Sequence, residues 1–230
     1  MATAPIIGLN ADVEKRDLRL RRAYVAAVRR AGGIPLILPP VRGRAAIMSQ
    51  LRAIDGLLLT GGDDYRPSRY GARGSPEVTL CMREREEYDH ALCVAALGIG
   101  LPIFGICGGL QLVTICLGGT LTVHVDGHRA CHHGVTVEHG TGLRRIIGAA
   151  RLRVNSSHHQ VANGLGRRLR PAARGTDGCI EAIEGTGDRF LLAVQWHPER
   201  MHARSAVRLF AAFTRAARRW KNVRTDVHVR

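Results

Sequence analysis

The run Gly100-Leu101-Pro102-Ile103-Phe104-Gly105-Ile106-Cys107-Gly108-Gly109-Leu110, continued by Gln111-Leu112-Val113-Thr114-Ile115-Cys116-Leu117-Gly118-Gly119, decides the fold. Residues 101–104 are a short apolar run with the character of a buried strand. Residues 110–117 are a second apolar run, ended by two glycines, with the character of a buried helix. A cysteine between glycines at such a junction is what a nucleophile elbow requires. The sharp turn takes unusual backbone angles, and neighbouring glycines relieve its crowding. The helix that follows turns its free N–H groups and positive dipole end toward the sulfur, which favours the thiolate and can stabilise an oxyanion. Taken alone, the motif serves equally well as a buried structural cysteine in a turn.

Working outward, strands and helices alternate. Residues 6–9 read as a strand, 18–31 as a helix stopped by Gly32-Gly33, 34–38 as a strand closed by Pro39-Pro40, 44–53 as a helix, 56–59 as a strand, and 83–97 as a long helix. This alternation predicts an α/β fold with a mostly parallel central sheet flanked by helices. After residue 120 the pattern shifts to strand-like runs at 120–124, 133–137, 151–154, 169–173, 178–184 and 190–195, a smaller strand-rich second half. A last helix is expected over 203–219, with Val207, Phe210, Ala211 and Thr214 on one face. Residues 1–220 read as one domain and 221–230 as a flexible tail. In parallel sheets, sites form beyond the carboxyl ends of strands, and Gly61-Gly62, Cys107 and His197 all follow strand candidates.

Ala193-Val194-Gln195-Trp196-His197-Pro198-Glu199 supplies partners for the cysteine. If strand geometry persists, His197 and Glu199 project to one side. The carboxylate can then fix the imidazole tautomer and leave the other ring nitrogen to take a proton from a thiol. Cys107, His197 and Glu199 make the pattern of a nucleophilic triad.

These two segments resemble the signature motifs of class I glutamine amidotransferases, the first over Gly105–Gln111 and the second over Gln195–Glu199. Further stretches resemble the gamma-glutamyl-gamma-aminobutyrate hydrolase branch of that family: Asp55-Gly56-Leu57-Leu58-Leu59-Thr60-Gly61-Gly62-Asp63-Asp64 with Pro67 and Tyr70-Gly71, Val154-Asn155-Ser156-Ser157-His158-His159-Gln160, and Asp177-Gly178-Cys179-Ile180-Glu181-Ala182-Ile183-Glu184. Pro5-Ile6-Ile7-Gly8-Leu9, Tyr24-Val25 and Ala31-Gly32-Gly33-Ile34-Pro35 fit as well, so the resemblance runs in order over about residues 4–215. It implies a flavodoxin-like sheet and a cytoplasmic hydrolase that cleaves gamma-glutamyl amides through a thioester. Backbone N–H groups of Gly62 and Gly108 would form the oxyanion hole, and Gly61, Gln111, Ser156, Ser157, His158 and His159 would contact substrate. Neither metal nor organic cofactor is implied. Many relatives carry arginine directly after the cysteine, where this chain has Gly108.

Other readings are weighed against this one. On a helix, His124, His128 and His132 would share a face and could bind zinc, but Gly127 and the lack of an apolar stripe favour a polar loop. Asp63 and Asp64 suit either a cationic substrate end or a turn cap. A glutaminase subunit feeding a synthase would carry the same triad, and a non-catalytic binding module would not need it.

Composition is that of an ordinary globular chain: 230 residues, 45% hydrophobic and 23% charged. No apolar run reaches membrane-spanning length and no signal-peptide core opens the chain. None of the six cysteines forms a C-x-x-C pair, which favours reduced thiols over a disulfide framework. The net charge of +15 raises a nucleic-acid partner. However, only Lys15 and Lys221 are lysines, the arginines are dispersed, and no aromatics interleave with them as stacking would require. A small gamma-glutamyl molecule is the expected partner. A homodimer is compatible with this reading.

Overall fold

The computed structural model describes residues 3–228, with side chains assigned as far as Arg224. Strand–helix alternation builds the first half: β1 (Ile6–Asn10), a hairpin of β2 (Asp12–Glu14) and β3 (Asp17–Arg19), α1 (Arg22–Arg30), β4 (Ile34–Leu38), α2 (Arg44–Arg52), β5 (Gly56–Leu59), α3 (Arg83–Ile99), β6 (Ile103–Ile106) and α4 (Gly108–Cys116). The second half is strand-rich: β7 (Leu121–Thr122), β8 (Cys131–Val137), α5 (Gly142–Ile147), β9 (Arg151–Ser156), β10 (Val161–Ala162), β11 (Leu169–Gly175), β12 (Ile180–Gly185), β13 (Leu191–Val194), and finally α6 (Arg204–His228). An 11-stranded sheet has the order β4-β1-β5-β6-β13-β12-β11-β8-β9, with β10 and β7 joined beside β12. Strands β4, β1, β5, β6 and β13 run parallel, and each later pairing on that path is antiparallel. The sheet is mixed, parallel in its core and flanked by helices.

The central strands are apolar throughout because both faces are covered. Alternation sends Leu58, Phe104, Leu192 and Val194 into a core with Phe210 and Phe213 of α6. Leu57, Leu59, Ile103 and Ala193 enter the opposite core with Leu51, Leu92 and Val113 of α2, α3 and α4. Phe104 meets Phe210 edge-on at 5.4 Å between centroids, a favoured aromatic geometry.

Two expected boundaries move, and one residue changes face. The helix expected from residue 18 begins at Arg22, because Asp17–Arg19 pairs back on Asp12–Glu14 around a turn in which Lys15 takes φ 55°. The last helix does not end at residue 219. It continues to His228, so residues 221–228 are helical rather than a tail; Lys221 donates to the Ala4 carbonyl, and Arg224 reaches Asp55. Val207, expected on one face with Phe210 and Thr214, is 62% exposed, whereas those two are buried together with Leu209 and Phe213. All six cysteines are free thiols. Among the described residues no helix is long and apolar enough to cross a membrane.

Candidate active site

Cys107 stands between β6 and α4 at φ 53°, ψ −108°. Such a conformation costs a non-glycine residue about 1–3 kcal/mol and persists only where its surroundings fix it. Here the Cys107 N–H donates to the Val194 carbonyl at 2.8 Å, and its carbonyl accepts from Leu110 N–H at 2.9 Å. The cysteine itself carries the strain that the sequence reading shared with its glycines. Those glycines serve close approach: a β-carbon at Gly109 would strike the Leu59 carbonyl, and one at Gly105 would strike the Gly109 backbone. Gly108 is different, because a β-carbon there would meet Gly62 N at an ordinary 3.4 Å.

His197 follows β13. Its Nδ1–H donates to Glu199 Oε1 at 2.8 Å. The pair meets across the 3-10 turn Pro198–Arg200, not by the strand alternation expected from their spacing. Asn155 grips the His197 backbone from both sides: its Nδ2 donates to the carbonyl at 3.0 Å, and its Oδ1 accepts the N–H at 2.9 Å. Burial alone would lower the His197 pKa. Cys107 beside the ring, and after it the Glu199 carboxylate, outweigh burial and raise it to about 9. Gln195 Nε2 points at Cys107 Sγ from 3.7 Å.

The loop after β5 faces the sulfur. A β-carbon at Gly61 would stand 3.1 Å from Cys107 Cβ and 3.3 Å from His197 Cε1, a tight fit that would push on both catalytic side chains. Gly61 N–H donates to the Tyr24 hydroxyl at 3.0 Å and is spent there. Burial raises the Tyr24 pKa well above that of a free phenol, so the hydroxyl stays protonated. Among the described residues no acceptor takes the N–H of Gly62 or Gly108, and these two lie side by side. Buried Arg85 donates to the Gly61 carbonyl at 3.1 Å and pairs with Asp89 at 3.1 Å and Asp12 at 2.8 Å. Asp89 in turn accepts from Asn10 Nδ2, and Asn10 Oδ1 takes the Thr60 N–H.

These elements line one cavity of about 730 Å³. Its floor holds Cys107, His197, Gly61 and Gly62. Its walls include Tyr24, Asp12, Asp63 and Ser157, and its rim carries Arg19, Arg21 and Arg200. Burial, followed by the nearby Asp12 charge, raises the Asp63 pKa. Of the expected substrate contacts, Gly61 and Ser157 line this cavity. Gln111 does not, because its amide donates to the Gln160 carbonyl at 3.2 Å. Ser156 turns the other way along β9 and donates to the His128 carbonyl at 2.6 Å. His158 points toward Glu181, and His159 bonds Asp64 at 3.0 Å and His124 at 3.2 Å. Asp63 and Asp64 therefore part company, the first facing the cavity and the second holding loops together. The zinc reading of His124, His128 and His132 on a helix fails, because 123–130 is a loop and His132 lies exposed in β8.

Tyr24, Arg85 and Asn155 were not expected to support the site. Tyr24 and Asn155 lay in quoted motifs without a role. Arg85 and Asp89 lay at i, i+4 spacing in the helix expected over 83–97, to which no role was assigned.

Comparison with known proteins agrees with this geometry. The Peptidase C26 family model matches residues 5–199. The protein named "Putative glutamine amidotransferase Rv2859c" from Mycobacterium tuberculosis is 35% identical over 236 residues, which cover 94% of this chain and 76% of that protein. The gamma-glutamyl-gamma-aminobutyrate hydrolase PuuD of Escherichia coli K12 is 33% identical over 201 residues, 78% of each chain. The crystal structure titled "putative gmp synthase subunit a" from Thermoplasma acidophilum superposes with a TM-score of 0.73 at 18% identity, covering 96% of this chain and 98% of that one. That last likeness is one of fold. The chain belongs to the Peptidase C26 family, a glutamine amidotransferase-like family of hydrolases.

Proposed function

We propose that the chain hydrolyses gamma-glutamyl amides, with Cys107 as nucleophile, His197 as general acid–base and Glu199 as the group that orients it. The observation that carries this reading is the line from Cys107 through His197 to Glu199, with the sulfur at a strained elbow and the first two opening on one cavity. The Cys107 thiolate attacks the gamma-carbonyl carbon, and the carbonyl oxygen becomes an oxyanion. Gly62 and Gly108 N–H groups receive it, a contribution on the order of 3 kcal/mol for each donor. The His197 imidazolium gives its proton to the leaving amine as the C–N bond breaks, leaving a thioester. Neutral His197 then takes a proton from water, hydroxide adds to the thioester carbon, and glutamate departs as the thiol is restored.

The mixed charge of the cavity suits a glutamyl group. Asp63 and Asp12 would face its α-ammonium, and Arg19, Arg21 and Arg200 its α-carboxylate. The PuuD likeness favours gamma-glutamyl-gamma-aminobutyrate as substrate. This route uses no cofactor. A panel of gamma-glutamyl amides, with free glutamine included, tests it. Glutamate release that disappears in Cys107→Ala is the expected result. Release from glutamine alone would favour a glutaminase, and no release from any member would overturn the reading.

A further inference from the structure

On the far side of the 155–160 segment from the cavity, three buried side chains and one half-buried one, His133, converge. His128 lies in the 123–130 loop, His133 on β8, His158 after β9, and Glu181 on β12. Their ligand-type atoms all lie within 4.8 Å of one another. From Glu181 Oε1, His128 Nδ1 is 3.4 Å away, His158 Nε2 3.5 Å and His133 Nε2 3.6 Å. At such lengths these are at best marginal hydrogen bonds. Each of the three nitrogens, and both Glu181 oxygens, is buried without a hydrogen-bond partner.

The outer ring nitrogens show what faces inward. His128 Nε2 lies 2.7 Å from Asp177 Oδ2 and must donate to that carboxylate, so in the neutral ring Nδ1 holds a lone pair. His158 Nδ1 lies 3.2 Å from the Gln160 carbonyl and must donate there, so Nε2 holds a lone pair. Two nitrogen lone pairs and a carboxylate therefore point at one buried spot. They repel one another unless a metal ion or a proton lies between them.

We propose that His128, His133, His158 and Glu181 bind a divalent transition-metal ion, with zinc as the ion this donor set fits best. Three imidazoles and a carboxylate match its borderline character. Tetrahedral zinc with bonds of about 2.0–2.1 Å places its ligand atoms roughly 3.3 Å apart, close to the separations around Oε1. The Asp177–His128 contact is the carboxylate–histidine support that accompanies metal-bound imidazole. With Glu181 it also supplies two negative charges against the ion. All four donors come from the chain, which makes this a structural site.

The ion joins β8, β12 and the turn after β9, so it braces the segment that carries Asn155 on the His197 backbone and Ser157 in the cavity wall. A second grouping, His128 with Asp177 and Cys179, offers three donors and needs the His128 nitrogen already committed to Asp177.

The test uses full-length Cys107→Ala protein, so that the thiol in the cavity supplies no ligand. The protein is stripped with a chelator, then loaded with Zn2+ or Co2+ and freed of excess. One metal per chain is expected, with a higher melting temperature than the stripped protein and cobalt bands of tetrahedral intensity that lack thiolate-to-metal charge transfer. Glu181→Gln and His133→Gln should each weaken zinc binding by about tenfold or more, and Asp177→Asn by about 10–100-fold. Cys179→Ser should leave it unchanged. Failure of the stripped protein to take up zinc, with no shift in melting temperature, would mean that protons hold the cluster and would overturn the proposal. Zinc retained in both ligand variants, or lost in Cys179→Ser, would also overturn it.

Discussion

The guanidinium of Arg85 lies against the α-carbon of Gly62, where a β-carbon would overlap it. Arg85 also donates to the Gly61 carbonyl and is itself held by Asp89 and Asp12. The glycine loop is thus fixed from behind by a buried cation.

Gly62→Ala should therefore act on turnover through Arg85. The added methyl must displace the guanidinium or the loop, and either movement spoils one oxyanion donor. A fall in kcat on the order of 10²–10³-fold is expected with a smaller change in KM. Arg85→Met should act on stability, because Asp89 loses its buried partner. The expected cost is about 3–5 kcal/mol in denaturant unfolding. An Arg85→Met protein as stable as the parent would show that the buried ion pairs are not what holds the loop.

Thiol reactivity should single out Cys107. Burial pushes the Cys81 thiol up to about 12. Burial, then the hydrogen bond to Asp177, takes Cys179 to about 12. Cys107 alone sits at a helix N-terminus beside an imidazolium. At neutral pH an alkylating reagent should modify Cys107 faster than Cys81 or Cys179, as followed by peptide mass spectrometry, with activity lost in step. Cys107→Ala should abolish hydrolysis and leave the fold intact, since alanine keeps the packing of the elbow. Activity that survives complete Cys107 labelling would remove it from the mechanism.

The His197 pKa sets the alkaline side of the pH profile. It is raised to about 9, so the imidazolium that must protonate the leaving amine persists through neutral pH and is lost above that value. The limb of kcat/KM should turn down near pH 9. The same shift bears on stability. A folded-state pKa above the unfolded value of about 6.5 gives stabilisation that is full below 6.5 and disappears as pH rises through about 9. In Cys107→Ala the thiolate is gone and the imidazole should titrate lower, a difference visible by NMR. Glu199→Gln should cost less turnover than His197→Ala, because a neutral amide still holds the ring but stabilises imidazolium poorly.

What the sequence disclosed, and what it withheld, follows from range. Apolar period and glycine stops are local, so the strands from Ile6 to Ile106 and the Cys107 elbow were readable. The spacing of His197 and Glu199 pointed to their contact, although the 3-10 turn that makes it depends on Pro198. Side-chain direction in the 155–160 segment was not readable. Ser156, Ser157, His158 and His159 are adjacent in sequence but face a carbonyl, the cavity, Glu181 and Asp64 respectively. Whether a residue faces substrate or scaffold there depends on partners as far as 95 residues distant. The clamp of Arg85 on Gly61 and that of Asn155 on His197 are long-range for the same reason. The β2–β3 hairpin that walls the cavity was hidden because Leu18 and Leu20 continue the apolar spacing of α1.

Position 108 offers a test of selectivity. Its backbone does not have positive φ, and a β-carbon there would have ordinary contacts with the Gly61–Gly62 loop. A long side chain can therefore be introduced without breaking the elbow, and its β-carbon stands beside the Gly61–Gly62 loop that lines the cavity. Gly108→Arg would add a positive charge where the leaving amine departs. Repulsion of a cationic amine at about 4 Å is worth roughly 1–4 kcal/mol between bulk water and a partly dry site. An anionic leaving group such as aminobutyrate would meet attraction instead. The ratio of kcat/KM for a gamma-glutamyl polyamine to that for gamma-glutamyl-aminobutyrate should fall by about tenfold or more in Gly108→Arg, since 1.4 kcal/mol already corresponds to a factor of ten. Raising the salt concentration should recover part of the loss, as screening requires. A ratio that does not move would mean that the side chain at 108 turns away from the leaving group, and that selectivity for the amine is set by the hairpin wall across the cavity.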